Sequence, residues 1–133
     1  MNKDLCFYIE NENLYFEQVL IDYNYIPIFF LCKSEQQYYL ALCLDIEEFN
    51  YIIVTLSLSD LSNLLHGNIP MRDIFLKQDY YWEVISNENV FSDTVTKHKI
   101  NHLNHSLLPK ENTYFQVLTE EVKTFIQKLD FGN

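Results

Sequence analysis

The sequence predicts an α+β fold: an antiparallel, meander-like β-sheet of four to six strands with two or three short helices packed on it. Three observations lead there. The apolar runs Ile28–Cys32, Tyr38–Leu44 and Tyr51–Leu56 follow closely on one another, separated by the polar clusters 33–37 and 45–50. A capped helical turn over 57–66 comes next, followed by Gly67 and Pro70. Near the C-terminus, Val122, Phe125, Ile126 and Leu129 recur at helical spacing. Short apolar runs broken by turn-forming clusters build hairpins, and amphipathic helices then cover one face of them.

Leu5–Ile9 reads as a first strand. Residues 14–25 are ambiguous: Leu14, Phe16, Gln18 and Leu20 alternate, whereas Leu14, Glu17, Gln18 and Ile21 suit a helical face. The firmest expectation is the hairpin of 28–33 with 38–45. If Glu35 and Gln36 close it, facing residues sum to 71. Phe29 and Leu31 then share a face with Tyr38, Leu40 and Leu42, while Ile28, Phe30 and Cys32 share the other with Tyr39, Ala41 and Cys43. Both faces are apolar, so this pair belongs at the centre of the sheet. Ser57-Leu58-Ser59-Asp60 has capping-box form, and Gly67 is a helix-ending signal. Pro70 is placed to open a second short helix through Leu76. Residues 79–86 alternate weakly around Tyr81 and Trp82 as a fourth or fifth strand. The stretch 87–112 is polar and reads as an irregular excursion. Thr119 caps the last helix, with Glu120 and Glu121 in its first turn.

A chain of 133 residues, 48% hydrophobic with ten Tyr, ten Phe and one Trp, is expected to form one domain over 1–133. It has only two glycines, Gly67 and Gly132, which argues against loops that close around a phosphate. Residues 1–60 carry ten acids against Lys3 and Lys33, a balance of −8 within a net charge of −10. Arg72 is the sole arginine, which argues against direct binding to nucleic acid or an anionic membrane. Cys6, Cys32 and Cys43 sit in apolar runs, odd in number and out of register, as small buried hydrophobes. A reducing cytoplasm suits them. The N-terminus lacks the form of a signal peptide, and the longest apolar run, 25–32, is far short of a membrane span.

The stretch Leu64-Leu65-His66-Gly67-Asn68-Ile69-Pro70-Met71-Arg72-Asp73-Ile74-Phe75 resembles a group of short, uncharacterised bacterial proteins with an Arg-Asp-apolar-Phe segment. Upstream, Tyr23, Tyr25, Pro27, Ile28–Leu31 and Tyr39-Leu40 extend the likeness over roughly half the chain. The resemblance implies an α+β fold and an origin in a bacterium or its phage. It implies no activity.

Three groups of residues are candidates for function. His98, His102 and His105 would share one face if 98–105 were helical, and imidazoles so placed can ligate a transition metal. Lys97 and Lys99 beside them, and Asn101 and Asn104 among them, favour a solvated stretch instead, so no tight metal site and no cofactor are expected. Glu47-Glu48 and Glu120-Glu121 read as a solvated loop and a helix first turn rather than as a catalytic pair. The acids Glu10, Glu12, Glu17, Asp45, Glu47 and Glu48 are the candidate partner-binding residues. The resulting expectation is a small, acidic, non-enzymatic protein-binding domain that engages a partner with a basic surface. In its sharpest form it is an inhibitor whose carboxylates stand in for nucleic-acid phosphates. The rival readings are a homo-oligomeric structural or regulatory subunit that buries its aromatics between copies, and a histidine-dependent metal protein or enzyme.

Overall fold

A computed structural model describes residues 4–87 and 89–131. Seven strands form one sheet in sequence order: β1 (Leu5–Ile9), β2 (Glu12–Tyr23), β3 (Ile26–Lys33), β4 (Tyr38–Asp45), β5 (Asn50–Leu56), β6 (Tyr80–Ile85) and β7 (Thr94–Lys99). Every neighbouring pair is antiparallel. Helices α1 (Leu58–Leu65) and α2 (Met71–Leu76) lie between β5 and β6, and α3 (Glu120–Phe131) follows a long connection.

This architecture corrects the expected four-to-six-strand α+β sheet. The fold is strand-dominated, the strands number seven, and the sheet curls into a half-barrel. The seventh strand falls within 87–112, the segment read as irregular. Its sequence, Thr94-Val95-Thr96-Lys97-His98-Lys99, carries one aliphatic residue, because an edge strand buries little.

The curl has a visible cause. β2 carries an extra residue opposite β3 twice, at Glu17 and Leu20, and β3 carries one at Ile28. Each bulge bends its strand and adds twist. The bulge at Glu17 also switches faces: Leu14 and Phe16 belong with the inner core, while Gln18 and Leu20 point to the helices.

Two cores result, one on each side of the sheet. The concave side packs Phe7, Ile9, Leu14, Phe30, Cys32, Tyr39, Ala41, Ile53, Trp82 and Val84 against one another, with Phe16 and Tyr51 partly buried beside them. Phe30 sits at its centre, with ring centroids of Phe7, Phe16 and Tyr51 at 6.1, 5.7 and 6.0 Å. The convex side packs Phe29, Leu31, Leu40, Ile52, Val54 and Leu56 under the helices, which contribute Leu61, Leu64, Ile74, Phe75, Val122 and Ile126. The β3–β4 register sums to 71 as the sequence predicts, with Phe29 opposite Leu42 and Cys32 opposite Tyr39. All three cysteines are free thiols.

The helices end and dock through specific polar contacts. Ser57 Oγ accepts the Asp60 backbone N–H at 3.0 Å, the expected half of the capping box. The Asp60 carboxylate does not complete the box with a hydrogen bond to the Ser57 backbone N–H. It turns instead to Lys77 Nζ and, at 3.2 Å, to Gln78 Nε2, tying α1 to the end of α2. At the other end of α1, Gly67 N–H donates to Leu64 O and Asn68 N–H to Asn63 O, a Schellman pair with Gly67 at φ +70°. Arg72 braces the connection ahead of α3, donating from Nε to Pro109 O at 2.8 Å and from Nη2 to His105 O at 3.0 Å. Among the described residues no helix is long and apolar enough to cross a membrane.

Candidate protein-binding surface

A meander puts alternate turns at opposite rims of the sheet. One rim carries turns 10–11 and 34–37; the other carries turns 24–25 and 46–49 with the 86–93 connection. Between them run β3 and β4, eight residues each, or about 26 Å at strand rise. The six candidate acids therefore divide. Glu10 and Glu12 stand at the first rim, Asp45, Glu47 and Glu48 at the second, and Glu17 at the bulge in β2. No single face gathers all six.

At the first rim the acids are engaged within the fold. Glu10 Oε1 lies 3.4 Å from Lys97 Nζ, which also sits over the rings of Tyr80 and Trp82. Glu12 Oε2 accepts the Tyr39 hydroxyl at 3.2 Å. Burial, reinforced by the Glu12 charge, pushes the Tyr39 phenol up to about 12. A groove of about 340 Å³ opens here between Asn11, Glu12, Asn13, Tyr15 and the Ser34–Gln36 turn. A second, of about 350 Å³, lies across the same turn between Lys33, Tyr38, Ser57 and Leu58. Neither lining includes a histidine or a cysteine.

The second rim is built differently. Tyr23 pairs with Ile26, leaving Asn24 and Tyr25 as a two-residue turn with φ of 48° and 66°. That is the type I′ geometry of tight hairpins, which favours Asn followed by Gly. Here the second position is a tyrosine, 95% exposed. In the next turn, Asp45 Oδ1 accepts the backbone N–H of Glu47 at 2.9 Å and of Glu48 at 3.2 Å, and Phe49 closes the loop at φ 52°. Phe49 is 46% exposed, and its carbonyl accepts Ser86 N–H at 3.1 Å. The Glu47 and Glu48 carboxylates have no hydrogen bond or ion pair among the described residues.

Among the described residues, six other than glycine have positive φ: Glu10, Asn11, Asn24, Tyr25, Phe49 and Asn112. Three are asparagine, whose side chain tolerates that region. Glu10, Tyr25 and Phe49 have no such excuse; Glu10 stands at the first rim, while the two aromatics share the second with Asp22, Tyr23, Glu47 and Glu48. Strain held at exposed aromatic residues is a reason to look for function there. The sequence does carry a signal for it, since Asn24-Tyr25 sits between two apolar runs where Asn-Gly is the ordinary turn. The surplus of tyrosine was legible; its position was not.

The histidines do not converge. His98 is on β7, stacked on Tyr81 at 5.1 Å and 3.6 Å from Glu83 Oε1, whereas His102 and His105 belong to separate 3₁₀ turns. The single helical face needed for ligation is absent. Among the described residues no group of three His, Cys, Asp or Glu side chains is placed to hold a metal.

Comparison with family models, curated proteins and solved structures finds no match. The residues of the Leu64–Phe75 segment have a structural account of their own: Leu64, Leu65, Met71, Ile74 and Phe75 are core, Gly67 ends α1, and Arg72 braces a loop.

Proposed function

We propose that this chain is a non-enzymatic protein-binding domain that engages a basic partner through the rim formed by turns 24–25 and 46–49. One observation carries the reading: two exposed aromatic side chains, Tyr25 and Phe49, are held in left-handed turns beside Glu47 and Glu48, whose carboxylates have no partner among the described residues. Aromatic residues supply large contact area at small entropic cost, and flanking acids select a partner of opposite charge and speed its approach. The pairing of Glu10 and Glu12 within the fold leaves them a supporting role. Charge mimicry, in this reading, is confined to one rim rather than spread over residues 1–60.

The test compares what purified wild type and the E47K/E48K and Tyr25→Ala variants capture from a bacterial lysate, at low and high salt. A partner held through this rim is retained by wild type, lost from both variants, and released as salt screens the charges over about 8 Å. Competition by DNA or RNA for the same partner tests the mimicry. Partners captured equally by all three proteins at both salt concentrations would dismiss this rim.

A further inference from the structure

The two edges of the half-barrel are unlike. Beside β1, the turn Val90–Ser92 comes close, with the Tyr8 and Phe91 rings 5.2 Å apart. β7 is the other edge: it pairs with β6, and no strand follows it among the described residues. Its ladder fixes which backbone groups are free. Ile100 N–H donates to Asp79 O at 3.0 Å, continuing the Tyr80–Lys99 register by one pair. Antiparallel ladders alternate bonded and non-bonded pairs. The backbones of Thr94, Thr96 and His98 therefore turn to β6, and those of Val95, Lys97 and Lys99 turn outward.

Topology adds a second point. In a seven-stranded antiparallel meander the first and last strands run the same way. The edges of this half-barrel approach each other, as the Glu10–Lys97 pair and the Tyr8–Phe91 contact show, yet β1 and β7 do not pair. One further strand, antiparallel to β7, continues the alternation and brings the count to eight, enough for a small closed barrel.

We infer that the outer edge of β7 receives an extended, acidic segment of another protein as an eighth strand. The charge of the edge decides the occupant. Thr94–Lys99 holds Lys97, His98 and Lys99 and no acid, in a chain of net charge −10. Glu10 already lies on Lys97, and Glu83 lies 3.6 Å from His98. An incoming acid would therefore meet Lys99, which has no partner among the described residues, and would share Lys97 with Glu10. Lysines on an edge strand repel a second copy of the same edge, so the same side chains that exclude the chain's own β7 select a strand of opposite sign. Main-chain bonds then supply affinity, and alternate side chains supply specificity. This surface is independent of the rim at Tyr25 and stands or falls separately.

The test is amide hydrogen exchange, read residue by residue by NMR on the full chain. The probe is a synthetic heptapeptide alternating glutamate and valine. In the free protein the Val95, Lys97 and Lys99 amides exchange fast. Saturating peptide should slow these three about tenfold or more while leaving Thr94, Thr96 and His98 unchanged. The Val95→Pro variant removes an outward N–H without touching the β6 ladder and should abolish the effect; Lys99→Pro serves if Val95→Pro does not fold. A lysine–valine peptide should give no protection. The inference is overturned if the acidic peptide protects none of the three, or if both peptides protect them equally. It is also overturned if protection appears without peptide and rises with protein concentration, since the occupant is then a second copy.

Discussion

Asn24 and Tyr25 occupy a two-residue turn that normally ends in glycine, and the Tyr25→Gly variant restores that pair. A side chain in the left-handed region costs about 1–2 kcal/mol. Glycine gives back part of this by loosening the unfolded chain, about 0.4–1 kcal/mol. Tyr25 is 95% exposed, so no packing is lost. The net expectation is a stabilisation of about 0.5–1 kcal/mol. With an unfolding entropy of about 2.1 cal/mol/K per residue over 133 residues, Tm rises by about 2–4 °C. Thermal unfolding followed by circular dichroism measures it, with urea titration as a check on the midpoint. The same variant should bind the partner of this rim more weakly than wild type. Gain of stability with loss of binding is the signature of a residue kept for contact rather than for folding. A variant less stable than wild type by 1 kcal/mol or more would refute the reasoning, since the tyrosine would then be supporting the hairpin.

Three further outcomes follow from the geometry. Gly67→Ala forces a side chain into φ +70° with its Cβ 3.2 Å from the Phe115 carbonyl oxygen, and thermal unfolding should register a loss of at least about 1–2 kcal/mol. Burial raises the Asp60 pKa, but hydrogen bonds from Lys77 and Gln78 outweigh it and hold the carboxyl below its ordinary value. Its contribution is therefore present above about pH 4 and lost as pH falls through the depressed value. Asp60→Asn should lower stability at pH 7 by about 1–2 kcal/mol and flatten that acid limb in a urea-unfolding series. Burial drives the Tyr39 and Tyr51 phenols up to about 12, with Glu12 adding to the first and Cys43 to the second. The folded state holds these protons more tightly than the unfolded chain does. Stability from this source is complete below about pH 10 and is lost as pH rises through 12. Ultraviolet titration should show these two phenols ionising last, and Tyr39→Phe should remove one.

The central hairpin was legible because a short polar loop, Ser34 to Gln37, separates two apolar runs, and the place where that loop closes sets the register. Ser57, Gly67, Pro70 and Thr119 announced the helix ends through side chains or conformations that only those positions need. β2 was not legible, since Glu17 and Leu20 each insert a residue and interrupt the alternation by which a strand is recognised. β7 failed for the opposite reason: its polar sequence suits an edge and hides it in a solvated segment. The curl, and with it the second core, depends on where the bulges fall and has no counterpart in composition. The acids were visible as charges, but their division between two rims is a consequence of turn order. Tyr25 and Phe49 emerged only once backbone angles were known.

A sheet whose strands pair in sequence order has consequences for how the chain is made. Each strand after the first finds its neighbour already synthesised, so the concave core can close progressively from Phe7 through Val84. The convex core has no such luck. Val122 and Ile126 reach it last, and the Gln18–Glu121 bond joins residues 103 positions apart. Until α3 emerges, part of the Leu20–Phe29–Leu31 surface lacks its cover and is open to aggregation or to a chaperone. Shortening the chain before Val122 should therefore leave a sheet that forms but does not stay dissolved.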